Sequence, residues 1–391
     1  MPGVHRPSAR RAIVVVLDAV GAGALPDASD YGDAGTNTLA HLAELAGGLE
    51  LPRMERLGLG SILPLEGVAP SPAPALHGRL HALGPGKDST TGHWELMGVV
   101  ARQPRPTYPD GFPPEVIGLI ERASGREVLC NAPIDGITVI DEYGEASLRD
   151  GALIVYTSQD SVLQIAAHTD ALSAQELHRL CARVRRLMVG EHAVGRVIAR
   201  PFDGPPGAFE RTRDRRDFAL PPTARSHLDE LREAGVATHA VGKVGQLFGG
   251  RGFAHEHAGA TNAEAIAATT ALLEQLEEGF VFTNLIETDQ VYGHRKDVAG
   301  FHGALREIDA AVGRWEELLR PGDLLVLTAD HGCDPAHPGT DHTREHAPLL
   351  ALFDGHGGRR HDGPLADVGA SALRWLAARD APALPGTPFL G

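Results

Sequence analysis

DLLVLTADHGCDPAHPGTDHTREH, residues 323–346, decides how this chain is read. The run 324–327 is continuously apolar, the pattern of a strand buried on both faces. It leads into Asp330 and His331, and His342 follows inside the Gly-Thr-Asp-His-Thr turn at 339–343. In open α/β sheets ligands gather beyond the carboxyl ends of the strands, so this strand delivers a carboxylate and an imidazole where a site is expected. That donor pair suits a divalent ion of intermediate hardness, such as Mn or Zn. Taken singly, each His also fits a surface turn rich in Gly and Pro. Recurrence of the pattern decides against that plainer reading.

The pattern recurs twice. A β-branched run at 12–17 reads as a buried strand and ends in Asp18, followed by Ala-Val-Gly-Ala-Gly at 19–23. The glycines allow a tight turn and close approach of backbone. The third glycine of a dinucleotide fingerprint is missing, so that site is rejected. A strand over 280–286 ends in Glu287-Thr288-Asp289 and is followed by Gly293-His294-Arg295. Three strands therefore deliver Asp18, then Asp289 with His294, then Asp330 with His331 and His342. Two metals with three protein ligands each keep open positions for substrate oxygens. Two ions roughly 3.5–4 Å apart clamp an in-line phosphoryl displacement, one polarising the phosphoryl group and the other activating a hydroxyl. Helix capping by Asp18 and Asp330 and core packing of His294 are reasonable one at a time, but together they leave six convergent residues unexplained.

The hydroxyl comes from Gly-Lys-Asp-Ser-Thr-Thr-Gly-His-Trp-Glu at 86–95. A helix is expected to start here and to run through 95 and 97. Capping accounts for one of Ser89, Thr90 and Thr91, not for three beside a Lys and a His. A helix N-terminus also favours anions, which suits a hydroxyl that carries phosphate. Ser89 is the candidate.

Composition narrows the class. The chain has 391 residues, which fits two domains or one large domain with an insertion. Its net charge of -15 disfavours a nucleic-acid or membrane-surface binder. An anionic substrate must then be met by metals and a few Arg or Lys. Three cysteines, Cys130, Cys181 and Cys333, form no disulfide framework and fit a reducing cytosol. Cys333, close to the proposed site, is expected to be a small buried thiol. Arg10 and Arg11 before 12–17 imitate a signal peptide, but the run falls short of the about 7–15 residues needed. No window reaches the about 20 residues of a spanning helix, so a soluble, cytoplasmic protein is expected.

Proline-dense stretches at 104–114 and 201–222 mark boundaries. Between them lie helices at 114–124 and 173–187 and strands at 153–157 and 197–199. The latter helix carries Leu177, Leu180, Val184 and Leu187 at helical spacing. The expectation is an inserted, smaller α/β cap at 104–222 that selects substrate, within a discontinuous metal-binding core at 1–103 and 223–391. In the core, helices at 38–46, 225–234, 263–277, 303–319 and 368–378 alternate with strands at 236–241 and 349–353 besides those above. That alternation gives an α/β fold with a largely parallel sheet flanked by helices.

Asp18, GKDSTTGHWE (86–95), YTSQDSVLQIAAH (156–168), GRVIARPF (195–202), GHRKD (293–297) and the TADHGCDPAHPGTDHTREH stretch (328–346) together resemble the phosphopentomutases of the alkaline phosphatase superfamily. The likeness is almost full length. It implies an alkaline-phosphatase-like core and the interconversion of ribose or deoxyribose 1-phosphate with the 5-phosphate. It implies two Mn2+ ions, a phosphorylated enzyme hydroxyl, a 1,5-bisphosphate intermediate, and priming by a sugar bisphosphate such as glucose 1,6-bisphosphate. Carried over, the metal ligands are Asp18, Asp289, His294, Asp330, His331 and His342. The phosphorylated residue is Ser89, directly after Lys87-Asp88, where the family usually has threonine. Glu287 stands where the family often has Asp and is not counted as a ligand. Asp160, in the YTSQDSV motif, is expected to hydrogen-bond ribose hydroxyls or to order the cap. Arg196, Arg211 and Lys243 match positions that bind substrate phosphate, Arg through a bidentate fork and Lys as a point charge. The expected partner is a small pentose phosphate, with no nucleic acid, membrane or obligate protein partner. The alternatives are a phosphatase or another metal-dependent phosphomutase of the superfamily. The YTSQDSV and GRVIARPF stretches speak against a phosphoglycerate mutase.

Overall fold

Three adjacent strands carry the acids singled out above. Arg11–Leu17 pairs in parallel with Gly279–Leu285 on one side and with Asp323–Thr328 on the other. The computed structural model describes residues 10–158, 161–355 and 357–390, and in it all three strands are buried along their whole length. Burial on both faces is why they read as unbroken apolar runs. Arg11 lies opposite both Gly279 and Asp323. Asp18 and Asp330 lie the same distance in sequence beyond that rung, so they leave the sheet side by side.

The rung is pinned by charge. Arg11 Nε donates to Asp323 Oδ1 at 3.0 Å, and Nη2 donates to Asp323 Oδ2 and, at 3.1 Å, to the Leu318 carbonyl. Nη1 donates to the carbonyls of Leu273 and Leu276. A guanidinium is tolerated here, inside the strand, because its charge is paired and its donors are used.

The full sheet has eight strands in the order His255–His257, Thr238–Val241, Gly279–Leu285, Arg11–Leu17, Asp323–Thr328, Ala347–Leu352, Leu76–His81, Gly363–Pro364. Only Ala347–Leu352 runs against its neighbours. Helix Asn262–Gln275 packs on one face, where Thr269 Oγ1 meets Thr283 Oγ1 at 2.8 Å. Helix Ser89–Leu96 packs on the other, with the His93 ring 5.6 Å from Phe282. Among the described residues no helix is long and apolar enough to cross a membrane.

The chain divides into two compact units, one of Met1–Gln103 with Pro222–Gly391 and one of Pro104–Pro221. The second unit is built on its own mixed sheet. Its strands run in the order Val128–Pro133, Leu153–Thr157, Val162–His168, Arg196–Asp203, Glu210–Arg211, and Arg216–Ala219 pairs with Arg196–Asp203. Helices Pro114–Ser124 and Ala174–Leu187 bury Val116, Ile120, Leu177 and Val184 against Leu153, Val155 and Ile165. Helix Thr138–Asp150 covers the other face through Val139 and Ile140 on Ile154, Tyr156 and Ala166. Leu187, expected in the apolar stripe, is 43% exposed because it ends its helix.

Asp323→Ala should lower the unfolding free energy by about 3–5 kcal/mol, the range for leaving one member of a buried pair uncompensated. Urea unfolding followed by far-ultraviolet circular dichroism tests this, and a loss below about 1 kcal/mol would show that the carbonyls alone sustain Arg11.

Candidate metal centre and nucleophile

Each acid is aimed by contacts close to its own strand end. Asn284 Nδ2 donates to Asp18 Oδ2 at 2.9 Å, and Thr288 Oγ1 donates to the Asp18 carbonyl at 2.6 Å. Asp330 Oδ1 accepts the backbone N–H groups of Ala19 at 3.2 Å and His331 at 3.1 Å. After Gly279–Leu285 the chain makes a π-helical turn, Thr288–Gly293. That wide turn, a form frequent at functional sites, carries Asp289 and sets His294 just behind it.

Glu345 ties down the long return loop. Its carboxylate accepts from Thr38 N at 2.9 Å, Thr38 Oγ1 at 2.7 Å, Thr343 Oγ1 at 2.7 Å and Gly23 N at 3.2 Å. A Cβ on Gly21 would lie 2.3 Å from Glu345 Oε2, so this glycine serves the approach of a side chain. A bridge between Gly332 and Thr343 then folds His342 back toward His331.

All six sequence-derived ligand candidates meet. His331 Nε2 lies 3.4 Å from Asp18 Oδ1 and 3.5 Å from Asp330 Oδ2. Asp289 Oδ1 lies 3.2 Å from His342 Nε2 and 3.5 Å from His294 Nε2. The His331 and His342 rings are 4.0 Å apart, and those of His294 and His342 are 4.8 Å apart. Donor atoms of Asp18, Asp330 and His331 fall within 4.8 Å of one another, as do those of Asp289, His331 and His342. A third such group joins Asp289 and His294 to Cys333. Burial and the nearby Asp289 and Glu345 carboxylates push the Cys333 thiol up, away from the thiolate form.

The donor set fits divalent ions. Asp289 Oδ1, Asp330 Oδ2 and His342 Nε2 are buried and make no well-aligned hydrogen bond among the described residues; their near neighbours are other members of the cluster, His342 Nε2 at 3.2 Å from Asp289 Oδ1 and His93 Nδ1 at 3.0 Å from Asp330 Oδ2. Buried lone pairs of this kind call for an explanation, and carboxylates with imidazoles are the ligands such ions take. The electrostatics agree. Burial raises the Asp18 carboxyl, and Asp330 and Asp289 raise it further. Burial also opposes the charge on Asp330, but His331 and His93 outweigh it and hold the carboxyl low. His331 is penalised by burial yet lifted well above its usual value by Asp330, Asp18 and Asp289. A proton among clustered acids occupies the place that a cation can take.

Ser89 sits at this cluster. Its Oγ is 3.1 Å from His331 Nε2 and 3.4 Å from Asp18 Oδ1. Capping of its helix falls to others: Asp88 Oδ1 accepts from Thr90 N and Thr91 N, and Thr91 Oγ1 bonds back to Asp88. The Thr91 hydroxyl is thus taken up by the cap, while the Ser89 hydroxyl faces His331 and Asp18. His93, one turn on, places Nδ1 2.8 Å from the Ser89 carbonyl and 3.0 Å from Asp330 Oδ2. Lys87 is engaged with Asp33 at 3.0 Å and Asp341 at 3.5 Å.

The substrate candidates are spread over both units. Arg196 lies 3.5 Å from Asp217. Arg211 Nε donates to the Gly136 carbonyl at 3.2 Å. In the core, Lys243 Nζ donates to Gln290 Oε1. Asp160 lies outside the described residues. Glu287 accepts from Asn262 N at 2.7 Å and so braces a helix start. Asn284, Thr288 and Glu345 escaped the sequence reading, and His93 entered it only as a neighbour of the three hydroxyls. Asn284 carries a local signal, a buried amide in an apolar strand that needs a partner.

A family profile described as the Metalloenzyme superfamily matches residues 10–379. A phosphopentomutase of Anaeromyxobacter sp. (strain K) is 48% identical over 389 residues, 97% of this chain and 98% of its own. A phosphopentomutase of Caldanaerobacter subterraneus subsp. tengcongensis is 50% identical over 342 residues, 87% of each chain. A solved protein structure from Pyrococcus horikoshii is similar in fold, with a TM-score of 0.50 and 13% identity, over 96% of this chain and 99% of that one.

Adding Mn2+ to chelator-treated protein should raise its thermal stability. One site filled at 100 times its Kd contributes about 2.7 kcal/mol. Asp289→Asn should lose most of that shift. Coordination requires neutral imidazole, and the His331 proton is held to higher pH than usual. Apparent affinity should therefore climb as pH rises through and beyond about 6.5. Isothermal titration at several pH values measures this, and a flat profile would contradict the assignment.

Proposed function

The chain belongs to the phosphopentomutase family of metalloenzymes, and from that premise we propose how its residues divide the work. The activity is that of an isomerase on an alkaline-phosphatase-like α/β core, moving a phosphoryl group between the 1- and 5-positions of ribose or deoxyribose phosphate. Asp18, Asp289, His294, Asp330, His331 and His342 hold two Mn2+ ions. Bound ions neutralise phosphoryl charge and lower the pKa of the attacking hydroxyl.

Ser89 carries the phosphoryl group between turnovers. The observation that supports this most is its Oγ at 3.1 Å from His331 Nε2 and 3.4 Å from Asp18 Oδ1. The P–O bond to Ser89 breaks as a bond forms to the free sugar hydroxyl, and that hydroxyl's proton passes to Ser89 Oγ. The product of this half is the 1,5-bisphosphate. Return of the other phosphoryl group to Ser89 completes the isomerisation and leaves the enzyme charged. A sugar bisphosphate such as glucose 1,6-bisphosphate supplies the first phosphoryl group. Lys243 in the core and, separately, Arg196 and Arg211 in the inserted unit at 104–222 supply positive charge for substrate phosphate, and that unit selects the pentose with Asp160. The N-terminus of helix Ser89–Leu96 favours the anion through its exposed N–H groups.

Ser89→Ala should bind Mn2+ as the parent does but show almost no conversion of ribose 5-phosphate to ribose 1-phosphate. Mass analysis after priming with glucose 1,6-bisphosphate should add one phosphate to the Ser89 peptide of the parent and none to the variant. Phosphate on Thr90 or Thr91 instead would move the nucleophile.

Arg211→Ala should raise KM about ten- to hundredfold with a smaller change in kcat, the equivalent of losing about 1.5–3 kcal/mol from a hydrogen bond to a charged group. Steady-state kinetics with ribose 5-phosphate decide it, and an unchanged KM removes Arg211 from substrate binding.

A further inference from the structure

The sheet ends at its outer edge in the short strand His255–His257, paired in parallel with Thr238–Val241. His255 stands opposite His239, and His257 lies two residues on, so all three imidazoles share one face. Glu256 points to the other face, against Gly245. His239 Nδ1 and His257 Nε2 are 3.0 Å apart. The His255 ring stacks on His239 at 4.6 Å, and the His257 ring lies 5.3 Å from it. His239 is buried, His257 half-buried and His255 exposed.

We propose that His239, His255 and His257 form a second metal site, for a divalent transition ion of the zinc or nickel class, on the edge of the core sheet. Two nitrogens 3.0 Å apart have the separation of adjacent ligands around an ion at about 2.0–2.1 Å from each. His255, exposed, turns about its side-chain torsions to bring its nitrogen to the third position, and water fills the remainder. Imidazole is the ligand type that suits zinc, nickel and copper. The environment keeps the rings in the neutral, ligating form: burial, then His255 and His257, depress His239 to about 4, and burial with His255 depresses His257. Binding needs no net proton release from the neutral pair. The ring that donates in the His239–His257 hydrogen bond moves its proton to its other nitrogen. An ion here ties the edge strand to Thr238–Val241, the strand that leads into Gly242 and Lys243.

The test counts metal in the intact protein. After equilibrium dialysis against Zn2+, metal analysis should find one more equivalent in the parent than in the His255→Gln/His257→Gln variant. Because only the difference is read, the number of ions at the main centre does not enter. Both substituted residues lie at the edge strand, and the variant should retain mutase activity with Mn2+. As a check that needs no variant, the His239 imidazole nitrogen resonances of the parent should shift on addition of one further Zn2+ after the main centre is filled. Equal zinc content in the two proteins, or unmoved His239 resonances, overturns the proposal.

Discussion

The centre depends on the register of three parallel strands. Runs such as Ala12–Val16 and Leu324–Leu327 are apolar on both faces, so hydrophobic burial alone does not say which residue faces which. Where one face is polar, a slip of one residue is punished by burying the wrong side; here that penalty is weak. The Arg11–Asp323 pair supplies what the apolar pattern lacks. It fixes one rung at the start of the strands, and the equal path from that rung carries Asp18 and Asp330 to one level at the far end. A slip by one residue would displace an acid by about 3.3 Å, most of the distance between neighbouring donors in the centre. Asn284, inside the third strand, and Thr288, just beyond it, then lock that strand to Asp18.

Charge is arranged around the centre in layers. The acids and imidazoles of the cluster interact strongly enough that Asp18 and Asp330 are driven in opposite directions, although both are fully buried. The return loop of residues 330–346 is held from outside by Arg344 on Asp27 at 2.8 Å, Lys87 on Asp341 at 3.5 Å and His41 on Asp334 at 2.7 Å. None of these pairs is needed as a ligand. Their effect is to keep a glycine- and proline-rich loop in one shape, so that His342 returns to His331. Preorganisation of this kind spares the site the reorganisation that a mobile loop would require. An acidic chain with net charge -15 thus places its positive groups where they steady the donors.

Much of this was legible because buried parallel strands announce themselves. Asp323–Thr328, Arg11–Leu17 and Gly279–Leu285 lie within a residue or two of the runs expected from apolar content, and helices Thr38–Ala46 and Pro114–Ser124 coincide with theirs. Strand Val128–Pro133 was not legible. It is half-exposed throughout and broken by a register shift, with Cys130 and Asn131 at φ 73° and 79°. Helix Thr138–Asp150 mixes acids into a weak apolar stripe and starts without a side-chain cap. Glu345 had little local signal, since only Thr343 is near it in sequence and its other three hydrogen bonds come from Gly23 and Thr38. Such residues are selected largely by tertiary contact, and no window of sequence contains both ends of those distant contacts.

The same reasoning shows how Ser89, the proposed phosphate carrier, is aimed without a threonine's methyl. A threonine methyl restricts χ1 and would help aim its hydroxyl. Here the aim comes from the backbone instead. Asp88 fixes the first turn through Thr90 N and Thr91 N, and His93 fastens the Ser89 carbonyl beside Asp330. Gly92 lets that helix press on Asp330, where a Cβ would meet its backbone oxygen at 2.5 Å. With the backbone clamped from three sides, a single torsion remains to place Oγ. The contacts to His331 and Asp18 are made by the oxygen alone, so the missing methyl removes no polar partner. The constraint has moved from the side chain of Ser89 to the helix that bears it.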